Sequence, residues 1–185
     1  PVNLYGPGDN FDLESGHVIP AMIRRFTDAR DQGLPVVTLW GDGSPLREFL
    51  RSEDMADASG HILLNVNFSD IIGIEKYSSV FYGVKADGAV DRNNSEGRGG
   101  AIPSLGEIRN CHINVGTGKE LTIKALAGLV AQVVGFEGDI VWDATKPNGT
   151  PRKLIDVTKL HSLGWTHQVE IEDGVEKLFA WYQHS

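Results

Sequence analysis

His17 is the residue best placed by type and context to move a proton. It stands where a helix opens, after a long loop that breaks at Gly6-Pro7-Gly8 and runs on through Asp9, Asn10, Asp12, Ser15 and Gly16. Pro20 fits the first helical turn, where its missing N–H costs nothing. An imidazole at such a position exchanges a proton near neutral pH. From spacing alone, a plain surface histidine at a helix start is the commoner reading. The second kind of chemistry is anion binding. Arg25 follows His17 by about two helical turns, Arg47 follows the Gly41-Asp42-Gly43-Ser44-Pro45 turn, and Arg152-Lys153 sits in a loop stiffened by prolines. A guanidinium fork and a lysine point charge are what a diphosphate needs. Singly, each is also an ordinary solvated charge. Trp40 ends an apolar strand and offers either a ring face to a ligand or another core residue.

Other constellations are poor. Gly116-Thr117-Gly118-Lys119, between an expected strand and a helix, invites a phosphate-loop reading but has neither a third glycine nor Walker spacing. His112, His161, His167 and His184 show no metal-ligand spacing, and no G-x-S-x-G occurs. Cys111 reads as a small buried apolar residue at a strand start. Arg92, Arg98 and Arg109 are loop cations, either solvated or within reach of a phosphate.

Asn3-Leu4-Tyr5-Gly6-Pro7, Ser15-Gly16-His17-Val18-Ile19-Pro20, Trp40-Gly41, Pro45-Leu46-Arg47-Glu48-Phe49-Leu50 and Lys146-Pro147-Asn148-Gly149-Thr150-Pro151-Arg152-Lys153 occur in this order. In that order they resemble the GDP-L-fucose synthases, NADP-dependent epimerase/reductases of the extended short-chain dehydrogenase/reductase group. The resemblance covers the C-terminal part of that family's chain and implies a small α/β substrate-binding domain without the Rossmann half. It implies Arg25, Trp40, Arg47, Asn148 and Lys153 as GDP-sugar contacts, and Asn148 stands where many relatives carry Asp. Pro1, Asn3, Leu4 and His17 match the loop on the nicotinamide side (1–17), and His17 also matches the family's epimerising histidine. The partner cysteine of that reaction is not Cys111. The resemblance further implies NADP held mainly by an N-terminal half, a cytoplasmic homodimer, and conversion of GDP-4-keto-6-deoxy-D-mannose to GDP-L-fucose. Part of another NDP-sugar epimerase or dehydratase, or a stand-alone nucleotide-sugar binding module, are the alternatives.

The chain begins at Pro1 and holds no strand–glycine turn–helix unit and no Tyr-x-x-x-Lys; Tyr82 and Lys85 are only three apart. It is therefore read as a fragment, inactive alone. At 185 residues and 41% hydrophobic it can bury one core. A net charge of −8 argues against nucleic acid or an anionic membrane as partner. The one cysteine fits a reducing compartment, nothing resembles a signal peptide, and no apolar run nears the roughly 20 residues of a membrane span.

The elements that must position these residues follow from periodicity. Val18, Ile19, Met22, Ile23, Phe26 and Ala29 predict a helix to about Arg30. Val36–Trp40, Arg47–Leu50, His112–Val115 and Asp139–Asp143 read as strands. Ser52 reads as the N-cap of a helix to about Val66, and Thr122 caps a helix stopped by Gly135. Thr158–Leu163 and about Glu170–Tyr182 complete the helices. Residues 65–110 read as an insertion relative to the family, with Asp87–Gly106 a flexible Gly/Asn-rich loop.

Overall fold

A computed structural model describes residues 1–72 and 111–185. In chain order the elements are β1 (Asn3–Tyr5), α1 (Val18–Asp31), β2 (Val36–Trp40), β3 (Leu46–Arg47), β4 (Phe49–Arg51), α2 (Ser52–Asn65), α3 (Phe68–Ile72), β5 (Leu121–Thr122), α4 (Ile123–Val134), β6 (Asp139–Asp143), β7 (Arg152–Lys153), α5 (Thr158–Ser162) and α6 (Ile171–Tyr182). The strands form three small groups. β1 pairs with β4 and β2 with β6, both in parallel, while β3 lies between antiparallel β5 and parallel β7. This is the small α/β architecture expected.

The main core joins α1, α4 and α6 to β2. Ile19, Ile23 and Phe26 project from one stripe of α1 onto Leu126, Ala127 and Val130 of α4, and Val175 and Leu178 of α6 close the layer. Burying each such aliphatic or aromatic side chain contributes roughly 1.5–3 kcal/mol. A second cluster, Val2, Leu50, Ala58, Val115, Leu160 and Trp165, fastens α2 and α5 to the β1–β4 pair. Two carboxylates of α2, Asp54 buried and Asp57 exposed, tie the 165–169 segment to that helix. Asp54 accepts the Gln168 and Val169 N–H groups at 3.2 and 3.1 Å, and Asp57 accepts the Trp165 indole N–H at 2.7 Å.

Helix α4 follows its signals closely. The Thr122 hydroxyl accepts the Ala125 N–H at 3.0 Å, and Gly135 takes the left-handed conformation at φ 80° that ends the helix. Four expectations need correction. Arg47–Leu50 is not one strand: it breaks at Glu48 into β3 and β4, which pair with different partners. Ser52 is the first helical residue, not the cap; the cap is Arg51, and the Ser52 hydroxyl donates to Glu53. His112–Val115 is in no strand ladder: the Val115 carbonyl accepts the Val2 N–H at 3.3 Å, while Asn114 donates to the Asp156 carbonyl and Lys159 to the His112 carbonyl. Cys111 is exposed, not buried. The expected flexible loop at 87–106, with Arg92, Arg98 and Arg109, lies outside the described residues, as does most of the 65–110 insertion; the part that is described ends α2 and forms α3.

Candidate functional site

A cleft of about 770 Å³ opens between the β1–α1 segment and the ends of β2 and β3. His17, Asn3, Leu4, Trp40, Arg47 and Asn148, residues from three separate stretches of sequence, all line it. Arg25, Lys153 and Pro1 do not. Arg25 turns from α1 toward β2 and donates to the Thr38 carbonyl at 3.4 Å. Lys153 is exposed on β7, its Cα in register with that of Arg47 on the neighbouring strand. Pro1 is an exposed terminal residue.

The loop that delivers His17 is ordered by its own side chains. The Asp12 carboxylate accepts the Glu14 and Ser15 N–H groups and the Ser15 hydroxyl, at 3.1, 2.8 and 2.8 Å. Those bonds hold the Asp12 carboxyl below its usual range. Asn10 accepts the Asp12 N–H and donates to Ser15. Gly16 sits so close to the carbonyls of Asn10 and Asp12 that a Cβ there would overlap both. Phe11 anchors the loop to the end of α6, stacking on Tyr182 at 4.5 Å and on Trp181 at 6.1 Å between ring centroids. His17 is the extended N-cap residue of α1 and its ring makes no capping bond, so the exposed imidazole is left at the cleft.

Opposite lie the aromatic and the cation. Trp40 is 68% exposed, with the Lys146 ammonium 5.6 Å from its ring centroid. Arg47 donates to the Leu46 carbonyl at 2.8 Å, and Gly149 lies against its guanidinium. The Asn148 amide oxygen accepts the Asp42 N–H at 2.8 Å, and the Asn148 side chain also helps hold the Asp42 carboxyl below its usual range, after the larger effect of Ser44. A neutral amide suits that place: a second carboxylate there would face Asp42 at close range. Tyr5 closes the cleft floor, and burial pushes its phenol well above its usual range, so it stays protonated.

Glu48, next to the cleft residue Arg47 but not itself lining the cleft, is a residue that sequence reasoning passed over. It is fully buried between Arg47 and Phe49. Its Oε1 accepts the Thr117 and Gly118 N–H groups at 2.6 and 2.8 Å and the Thr117 hydroxyl at 3.3 Å. The N–H groups of the Gly116–Lys119 turn are therefore taken up by a side-chain oxygen of the same protein. This disposes of the phosphate-loop reading. The signal available beforehand was a charged residue inside an otherwise apolar strand run, Leu46 to Leu50.

Residues 1–73 match the NAD dependent epimerase/dehydratase family. At finer grain, the chain is 43% identical over 182 residues to the GDP-L-fucose synthase of Escherichia coli (strain K12), covering 98% of this chain and 47% of that one. GDP-L-fucose synthase 1 of Arabidopsis thaliana is also 43% identical, with 98% and 44% covered. Among solved structures, a GDP-mannoheptose C4 reductase from Campylobacter jejuni with NADP bound superposes with a TM-score of 0.68 at 29% identity, covering 98% of this chain and 47% of that one. The chain is thus a relative of the GDP-L-fucose synthases over nearly its whole length, and it spans about half the length of the curated relatives it matches. Among the described residues no helix is long and apolar enough to cross a membrane, and no group of His, Cys, Asp and Glu is placed to hold a metal ion.

Proposed function

We propose that this chain is the substrate-binding part of an NADP-dependent GDP-L-fucose synthase, which converts GDP-4-keto-6-deoxy-D-mannose to GDP-L-fucose by 3,5-epimerisation and 4-keto reduction. One observation carries the reading: a single cleft joins His17 to Trp40 and Arg47, and to Asn3 and Leu4 on β1. The similarity to GDP-L-fucose synthases supports the choice of sugar nucleotide.

Each residue has a role in this reading. Arg47 holds a phosphate of the diphosphate, with Lys153 and Arg25 adding positive charge from outside the cleft wall, and Trp40 covers the base or sugar with its ring. Asn148 contacts the nucleoside while latched to Asp42. The C4 ketone acidifies the protons on C3 and C5. Once a base has taken such a proton from one face, His17 returns one to carbon from the opposite face, which inverts the centre. Leu4, 36% exposed, and the Gly6–Gly8 turn give the cleft an apolar, low-relief wall that fits a planar nicotinamide, with Pro1 and Asn3 contributing mainly backbone. NADPH, when bound, supplies the hydride that reduces C4. Most of the cofactor contacts, and the base, belong to sequence outside this chain. The intact protein is a cytoplasmic homodimer in this proposal.

The test is turnover of GDP-4-keto-6-deoxy-D-mannose with NADPH by the intact protein, with products separated and their stereochemistry assigned. GDP-L-fucose is the expected product. Reduction without inversion at C3 and C5 would point instead to a 4-keto reductase acting on another GDP-sugar.

A further inference from the structure

We propose that Glu48 is the positioning residue of the anion site: it sets Arg47, Lys153 and Asn3 in one geometry, without touching substrate. This rests on the reading of the cleft as a nucleotide-sugar site. Side chains alternate along an extended run, so Arg47 and Phe49 face the cleft while Glu48 points inward. There its carboxylate collects donors from two distant segments. Oε1 takes the Thr117 and Gly118 N–H groups and the Thr117 hydroxyl, and Oε2 takes the Ile155 N–H at 3.3 Å. The Glu48 carbonyl accepts the Asn3 side-chain amide at 2.9 Å.

Two of these bonds, those of Ile155 and Asn3, lead to candidate ligand contacts. Ile155 is two residues beyond Lys153, whose strand runs beside Arg47. Asn3 is paired with Phe49 on the β1–β4 side of the cleft. Glu48 thus occupies the joint where the β3 group and the β1–β4 pair meet. The local sequence makes room for it: a Cβ at Gly116 would overlap Oε1 and stand 3.1 Å from the Ile155 Cδ1. Among the described residues every hydrogen-bond partner of the side chain is a donor, so the site requires an acceptor at both oxygens, which a carboxylate offers and an amide does not.

That asymmetry makes Glu48→Gln informative. Its amide oxygen can keep the Thr117 and Gly118 bonds, which leaves its NH₂ facing the Ile155 N–H, donor against donor. The loss therefore falls on the Lys153 side. We expect Glu48→Gln in the intact protein to weaken GDP binding, measured by calorimetry, about tenfold, a change of about 1.4 kcal/mol. In a Lys153→Ala background the same substitution should cost less than threefold, because the cation it positions is already gone. Equal losses in both backgrounds, or unchanged affinity with a lowered Tm, would show that Glu48 is a folding residue only and overturn the proposal. A second measurement is independent of the ligand. Amide exchange at Leu46, whose N–H donates to the Pro151 carbonyl at 2.9 Å, should speed up in Glu48→Gln. If the parent protein fails to bind GDP, the reading of the site fails, and Leu46 exchange still decides the role of Glu48: an unchanged rate refutes it.

Discussion

Trp40 offers the cleanest test of what the cleft holds. With 68% of its surface exposed at the end of β2, its removal opens no cavity, so Trp40→Ala should change stability by no more than about 0.5 kcal/mol. A base stacked on an aromatic side chain is worth about 1–3 kcal/mol. The Lys146 ammonium, 5.6 Å from the ring, holds a competing contact worth about 0.5–1 kcal/mol at an exposed site. If the base takes the face that Lys146 now covers, the central values leave about 1.3 kcal/mol, close to tenfold in affinity. If it takes the other face, nothing is displaced and the full stack of about 2 kcal/mol, near thirtyfold, is at stake. Trp40→Ala should therefore weaken GDP binding about 10- to 30-fold by calorimetry, with the melting temperature unmoved. Lys146→Ala separates the two geometries in about 0.15 M salt, where exposed charges beyond roughly 8 Å are screened. It should tighten binding about threefold in the first case and leave it unchanged in the second. Parent-like GDP affinity in a folded Trp40→Ala protein would refute the idea that this indole covers the ligand.

Three further outcomes follow from particular contacts. In the intact enzyme, His17→Gln should slow inversion at C3 and C5 by about 10²–10⁴-fold, the usual loss for a general acid, and spare hydride transfer to a substrate already inverted; deuterium incorporation from solvent beside NADPH consumption reads both. Gly174→Ala on α6 places a methyl over the Tyr5 hydroxyl and 2.8 Å from its Cζ, so overpacking of about 1–3 kcal/mol outweighs the roughly 1 kcal/mol of helix propensity gained. A melting temperature lower by about 2–8 °C is expected, with part of it restored by adding Tyr5→Phe, which removes the hydroxyl and leaves the Cζ. The Arg51 fork holds the Glu53 carboxyl down to about 2 from an ordinary 4.5, so this pair stabilises the fold above pH 4.5 and loses that contribution as pH falls from 4.5 through 2. Because Glu53 is half exposed the effect is small; the stability gap between parent and Glu53→Gln should be present at pH 7 and close by pH 2.

What could be read from the sequence, and what could not, divides by the range of the interactions involved. Helix α1, strands β2 and β6 and the capped helix α4 are specified within their own residues. Apolar spacing from Val18 to Ala29, β-branched runs at Val36 and Ile140, and the Thr122 and Gly135 caps are all local signals. His17, Asn3, Leu4, Trp40, Arg47 and Asn148 stand out in the sequence by type and resemblance, and their meeting in one cleft depends on three separate chain segments. Glu48 was invisible for a physical reason. Its donors lie 69, 70 and 107 residues away, and only they explain why a carboxylate is buried in an apolar run and why the expected strand breaks there. Asn148 shows the same limit from the other side. From the sequence it reads as a ligand contact; in the fold its amide is bonded 106 residues back to Asp42, so the neutral side chain first answers to a residue of its own chain. A residue that closes the turn beside Trp40 and also lines the cleft couples the shape of the site to its chemistry, and Glu48 does the same on the Arg47 side. The cleft's ligand-facing residues are thus held in place by polar contacts behind them that no local pattern encodes.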